Sequence, residues 1–229
     1  MDNYIELAQT TTEERAVFFR KTYTHVALGV LVFFLVEYLF LQSEAITNFA
    51  LSLAEGRMWL LMLGGFMLAT SYGEKMAINS HDRNKQYLGY FIFIIAEAFI
   101  FIPMIYIALS MSNGADLIQQ AAVLTIALFA GLSAVVIMTK KDFSFMKTGL
   151  TIASFIAIGL VIAGTLFGFN MGLWFSVGMI LLAGGTILYQ TSNLVHKYSK
   201  DQYVAAALGL FASLMLMFWY ILRIFMSRD

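Results

Sequence analysis

Cysteine is absent from the 229 residues, and proline occurs once. Without cysteine there is no disulfide, thiolate metal site, iron–sulfur cluster or thiol nucleophile. One proline beside 17 glycines excludes collagen-like and Pro-rich chains. Charge is also scarce: 12% of residues are Asp, Glu, Lys or Arg, against about 25% in a soluble domain. The 14 basic and 14 acidic side chains cancel, so no general basic surface is available to a nucleic acid. What is abundant is apolar, at 60% of residues. The composition predicts an all-α integral membrane protein whose first partner is the lipid bilayer.

A helix crossing a hydrocarbon core of about 30 Å needs about 20 mostly apolar residues. That template predicts seven transmembrane helices: Thr24–Gln42, Met58–Met76, Tyr87–Leu109, Ile118–Thr139, Thr148–Phe169, Leu173–Asn193 and Tyr203–Phe225. Glu74 and Lys75 blur the end of the second. The connections are short and polar, so the expected organisation is a segment 1–23, one membrane domain 24–225, and a tail 226–229. The first 23 residues carry Asp2, Glu6, Glu13 and Glu14 and no apolar run before a small-residue site, so no cleavable signal is expected. Thr11 and Glu14 have capping-box spacing, which fits a short interfacial helix or an ordinary overhang.

The basic residues give the orientation. Arg15, Arg20, Lys21, Lys75, Arg83, Lys85, Lys140, Lys141, Lys147, Lys197 and Lys200 fall on one side, and Arg57, Arg223 and Arg228 on the other. The positive-inside rule then predicts a cytoplasmic N-terminus. The chain is expected in a bacterial inner membrane.

Seven helices alone do not define a function. The last span has no lysine for a retinal Schiff base, and no H-E-x-x-H occurs. Gly131-Leu132-Ser133-Ala134 only half resembles a serine elbow, and the three histidines, His25, His81 and His196, lie near span ends. These patterns predict no enzyme and no resident cofactor or metal.

Three motifs in order carry a resemblance. Thr139-Lys140-Lys141-Asp142-Phe143-Ser144-Phe145 resembles the T-K-K-D-F-S signature of the transmembrane Bax inhibitor motif family. Ile187-Leu188-Tyr189-Gln190-Thr191-Ser192-Asn193 resembles its I-L-Y-D-T-x-x run, and Tyr203 to Phe211 resembles Y-x-x-A-x-S-L-Y-L-D. Arg20-Lys21-Thr22-Tyr23 and Pro103 also sit where the family has similar residues. The resemblance implies a seven-helix fold with the last helix central. It implies a pH-sensitive calcium leak, with Ca²⁺ or H⁺ as the ion, suppression of cell death in eukaryotes, and in bacteria a membrane-anchored AAA protease as partner. A second reading is therefore a non-conducting protein that modulates such a protease or a stress pathway.

The family's pH behaviour is attributed to two aspartates, one in each of the last two spans. Here those positions are Gln190 and Ser213. Two facing carboxylates share a proton and attract Ca²⁺, because like charges in low dielectric cannot both ionise. Gln and Ser do neither, and are expected to hydrogen-bond to each other and hold their helices closed at every pH.

A carboxylate inside a span is costly and is a functional candidate by default. Glu97 lies ten residues into the third span, about 15 Å deep. Its helical neighbours Phe93, Ile94, Ile100 and Phe101 are apolar, so its partner is expected from Thr125, Ser133, Gln190 or Ser213. It is either a neutral packing group or a proton or cation site replacing the missing aspartates. Glu37, roughly 20 Å into the first span, either reaches the outer interface beside Tyr38 or shares that role.

Other features read as structural. Gly164 and Gly168 form a G-x-x-x-G pair, and Gly184-Gly185 admits close helix approach. Asp142 and Ser144 are expected to cap the fifth span. Trp59, Trp174, Trp219, Tyr38, Tyr106 and Tyr203 read as interface anchors.

Overall fold

A computed structural model describes residues 12–80, 82–198 and 201–227. Thr11, His81, Lys200 and Arg228 lie outside them. Among the described residues eight helices follow one another: α1 Thr12–Leu41, α2 Glu44–Ala54, α3 Met58–Asn79, α4 Arg83–Ser110, α5 Gly114–Thr139, α6 Met146–Phe167, α7 Gly172–His196 and α8 Tyr203–Met226. Six are long and apolar enough to cross a membrane. A seventh span exists if α2 and α3, bent by 112° at a short break, count as one.

Two expectations change at the N-terminal side. The helix from Thr12 runs unbroken into the first span, so residues 12–23 form no separate interfacial helix. The stretch 44–54, read as a connection, is helix α2. Its Ile46, Thr47, Ala50 and Leu53 recur at helical spacing, with Thr47 and Ala50 buried against the bundle.

Helix ends follow local chemistry. The Asp82 side chain accepts from Asn84 N–H at 2.9 Å and starts α4. Lys140, at φ 52°, and Gly168, at φ 73°, stop α5 and α6 in the left-handed region.

The last helix is central. Nearly every residue of α8 from Val204 to Leu222 is buried or half-buried, and the helix packs on α1, α3, α4, α5 and α7. By contrast α6 sits outside, against α7 and α3, with Phe155 and Phe167 exposed for lipid. Lipid tails are as apolar as leucine, so packing rather than water exclusion holds these helices together.

Close approach therefore matters. A Cβ on Gly73 of α3 would stand 2.6 Å from the Gly89 carbonyl of α4. Gly184 and Gly185 play the expected part: their faces meet Leu132 of α5, Leu150 of α6 and Met217 of α8. The G-x-x-x-G expectation fails. Gly168 is the α6 cap, and Gly164 faces Phe169 and Met171 of the adjoining turn rather than another helix.

The aromatic anchors divide. Trp174, Tyr38 and Tyr106 are exposed. Trp59 and Trp219 instead stack on each other at 6.2 Å, and Trp219 meets Phe101 edge-on at 4.8 Å.

Candidate functional site

The α7–α8 seam holds the two positions singled out by the sequence. Gly209 has no side chain, and the Gln190 carboxamide fills that space: Cδ, Nε2 and Oε1 each lie 3.1 Å from where a Cβ would be. Ser213, 3% exposed, donates its hydroxyl to the Gly209 carbonyl at 3.0 Å, one turn back on its own helix. The expected Gln190–Ser213 bond is thus replaced by a shared contact with Gly209. The physical reason is that a serine in a helix satisfies its hydroxyl on the i−4 carbonyl. The seam is closed by neutral groups.

Glu97 is buried in α4, with Phe93 and Phe101 one turn to either side. Those rings pack on α8: Phe93 on Phe211 at 6.3 Å, and Phe101 stacked on Phe218 at 5.8 Å. Glu97 therefore lies at the height of the α8 stretch that contains Ser213 and Leu214. None of the expected partners bonds it. Thr125 donates to Ala121 O, Ser133 faces Thr191, and Ser213 is committed to Gly209.

Glu37 does not reach the outer interface. It is 4% exposed, and neither carboxyl oxygen has a hydrogen-bond partner. Phe33 and Phe40 flank it on α1 and pack edge-on against Phe101 and Phe99 of α4. That packing pins the α1 face inward and keeps the carboxyl from snorkelling past Tyr38.

The T-K-K-D-F-S segment has a different task from capping. The N-cap of α6 is Phe145, without a side-chain cap bond. Asp142 Oδ1 instead accepts from Ser144 N–H at 2.8 Å and from the Ser192 hydroxyl of α7 at 3.2 Å. Ser192 in turn accepts from Phe143 N–H at 2.9 Å. The loop is latched to the end of α7, two residues beyond Gln190. The Ser144 hydroxyl, facing the carboxylate, and the Ser144 N–H hold Asp142 below the usual carboxylate range, with Ser192 and His196 adding to them.

One node escaped the sequence reading. His25 of α1 donates through Nδ1 to Lys21 O at 2.7 Å, and its Nε2 is hydrogen-bonded with the Tyr87 hydroxyl of α4 at 2.9 Å. Tyr203 of α8 lies under the Arg83 guanidinium at 4.4 Å and the Lys21 ammonium at 5.2 Å. Arg83 also pairs with Asp201 at 3.6 Å. Each residue stands at a span end on the same side, which the sequence shows, but nothing in its spacing pairs them. Among the described residues no group of three or more His, Asp or Glu could hold a metal ion.

These features define a multi-pass helical membrane protein built around a buried last helix, with a neutral seam and two buried acids. Comparison with known sequences gives the family. The sequence model of the family described as "Inhibitor of apoptosis-promoting Bax1" matches residues 15–229, and the chain belongs to that Bax inhibitor family. It is similar to mouse Protein lifeguard 4, 27% identical over 221 residues, covering 95% of this chain and 87% of that protein. It is similar also to the Golgi anti-apoptotic protein of vaccinia virus, 26% identical over 225 residues, covering 95% and 88%. An uncharacterized Pseudomonas aeruginosa protein is 34% identical over 124 residues, and the match spans 55% of that relative's length.

Proposed function

We propose that this protein is a pH-sensitive calcium or cation leak of the Bax inhibitor type whose leak is impaired at the α7–α8 seam. The observation that carries the reading is Gln190 packed on Gly209, with Ser213 bonded to the same residue. Neither group changes charge with pH, so the seam has no electrostatic reason to open on proton loss. Glu97, at the height of Ser213, and Glu37 are the remaining proton or cation sites in this reading. The basic loops face the cytoplasm of a bacterial inner membrane, and the protein carries no catalytic group or resident cofactor.

The test is Ca²⁺ flux into proteoliposomes at several pH values for the wild type, Glu97→Gln, and the Gln190→Asp/Ser213→Asp double variant. Flux is expected to appear, with pH dependence, in the double variant. Equal flux in wild type and double variant overturns the role given to the two positions, and a wild-type flux unchanged by Glu97→Gln removes Glu97.

A second reading is favoured by the names of the family and of the viral relative, which speak of apoptosis. In it the protein conducts nothing and acts by binding, in a bacterium to a membrane-anchored AAA protease or within a stress pathway. Recovery of such a protease with the tagged protein, together with no flux from any variant, selects it.

A further inference from the structure

Three hydroxyls meet inside the bundle where side chains of α1, α5 and α7 converge. Ser133 of α5 is 4% exposed and Thr191 of α7 is fully buried. Their oxygens stand 3.5 Å apart, beyond the usual range of a direct O–H···O bond. Tyr23 of α1 turns its hydroxyl toward both. Its ring meets Phe129, one turn before Ser133, edge-on at 6.1 Å. The Tyr23 oxygen is sealed from solvent, and no protein group stands in hydrogen-bonding geometry to it.

Buried polar atoms without partners are rare because each forfeits its bonds to water. Here Ser133 and Thr191 stand at the outer limit of direct bonding, and the Tyr23 hydroxyl beside them has no partner. A buried water makes about three hydrogen bonds to groups otherwise unsatisfied, which is the number on offer.

We propose that Tyr23, Ser133 and Thr191 form a binding site for one buried water molecule that ties α1 to α5 and α7. The backbone of α1 packs on α2, α4 and α8, so the Tyr23 side chain carries the polar connection across to the other two helices. The cage is neutral, and a dehydrated cation within it would have no counter-charge. Thr191 directly follows Gln190, so a fixed Thr191 hydroxyl sets the rotation of α7 that lays Gln190 over Gly209. The site stands independently of any leak.

X-ray hydroxyl-radical footprinting of the full chain in nanodiscs tests this, since radicals made from a bound water oxidise the side chains that hold it. Tyr90 is the reference, being 5% exposed and donating its hydroxyl to His25 O at 3.1 Å. Tyr23 is expected to be oxidised several-fold faster than Tyr90. The rate should fall to that of Tyr90 in Thr191→Val, which keeps the shape and removes the hydroxyl. Ser133→Ala gives the same readout if Thr191→Val does not fold. A Tyr23 rate equal to that of Tyr90 in the wild type overturns the site. So does a fast rate unchanged by either substitution. A fast rate that requires Na⁺ or K⁺ in place of choline assigns the cage to a cation and overturns the water.

Discussion

The α3–α4 crossing gives the most direct test of how this bundle is held. A methyl at Gly73 would lie 2.6 Å from Gly89 O and 3.3 Å from Phe93 N. At Gly89 it would overlap Gly73 O and lie 2.8 Å from Met76 Cβ and 2.9 Å from Ala77 N. These are backbone and Cβ atoms, so no flexible side-chain end can swing aside. The helices must part, and a gap of roughly 0.5–1 Å forfeits a quarter to a half of each dispersion contact along the seam. Overpacking of this kind costs about 1–3 kcal/mol, and the better helix propensity of alanine returns up to about 1 kcal/mol. Gly73→Ala and Gly89→Ala should therefore each destabilise by about 1–2 kcal/mol, Gly89→Ala the more. The double variant should cost less than the two singles together, since one separation relieves both clashes. Gly131→Ala and Gly159→Ala, with nothing within 4 Å of the added carbon, serve as controls and should be neutral or slightly stabilising. Reversible unfolding in mixed micelles, followed by tryptophan fluorescence, measures the differences. Gly89→Ala as stable as Gly159→Ala would refute the close crossing.

Two further predictions concern the acids. Glu37→Leu removes a sealed, unpartnered carboxyl, and should raise stability in the same assay by about 1–2 kcal/mol; a loss would mean that the carboxyl is held by something that favours it. For the loop latch, Asp142 is depressed below its ordinary range, so its contribution is present above the unfolded value of about 3.9 and is lost only as pH falls through the lower folded value. Hydrogen exchange at the Phe143 and Ser144 amides, corrected for intrinsic rates, should stay slow at pH 4 and quicken below it. Asp142→Ala should exchange quickly at every pH, and slow exchange in that variant would remove the latch.

Most of the fold is legible in the sequence because a membrane interior writes its constraint as unbroken apolar length, as in α1 and α4–α8. Helix α2 is not, since it is an 11-residue stretch too short for the span template, with Glu44 and Asn48 inside it and Glu55 at its end. The hydroxyls expected to partner Glu97 are engaged elsewhere for a general reason. In low dielectric a helical Ser or Thr satisfies itself on its own backbone, as Thr70, Thr125, Thr165, Thr186 and Ser213 do here. Glycine spacing misled in the same way. Gly164 and Gly168 have the motif without the partner helix, whereas Gly73 and Gly89 have the contact without a motif, because the crossing pairs two chain segments that no single window contains.

The arrangement also says where an acid-linked motion would have to act. The seam at Gly209 is neutral, while Glu97 sits on the other side of α8, clamped between the Phe93–Phe211 and Phe101–Phe218 contacts. Parting α4 from α8 would expose that carboxyl further, and the same step separates Phe101 from Trp219. In the proposed reading, charge on Glu97 therefore loosens the α4 side of the central helix and leaves the α7 side shut. Restoring aspartates at 190 and 213 moves the titrating groups to the opposite face of α8, so the double variant should open along a different helix pair from any motion that Glu97 drives.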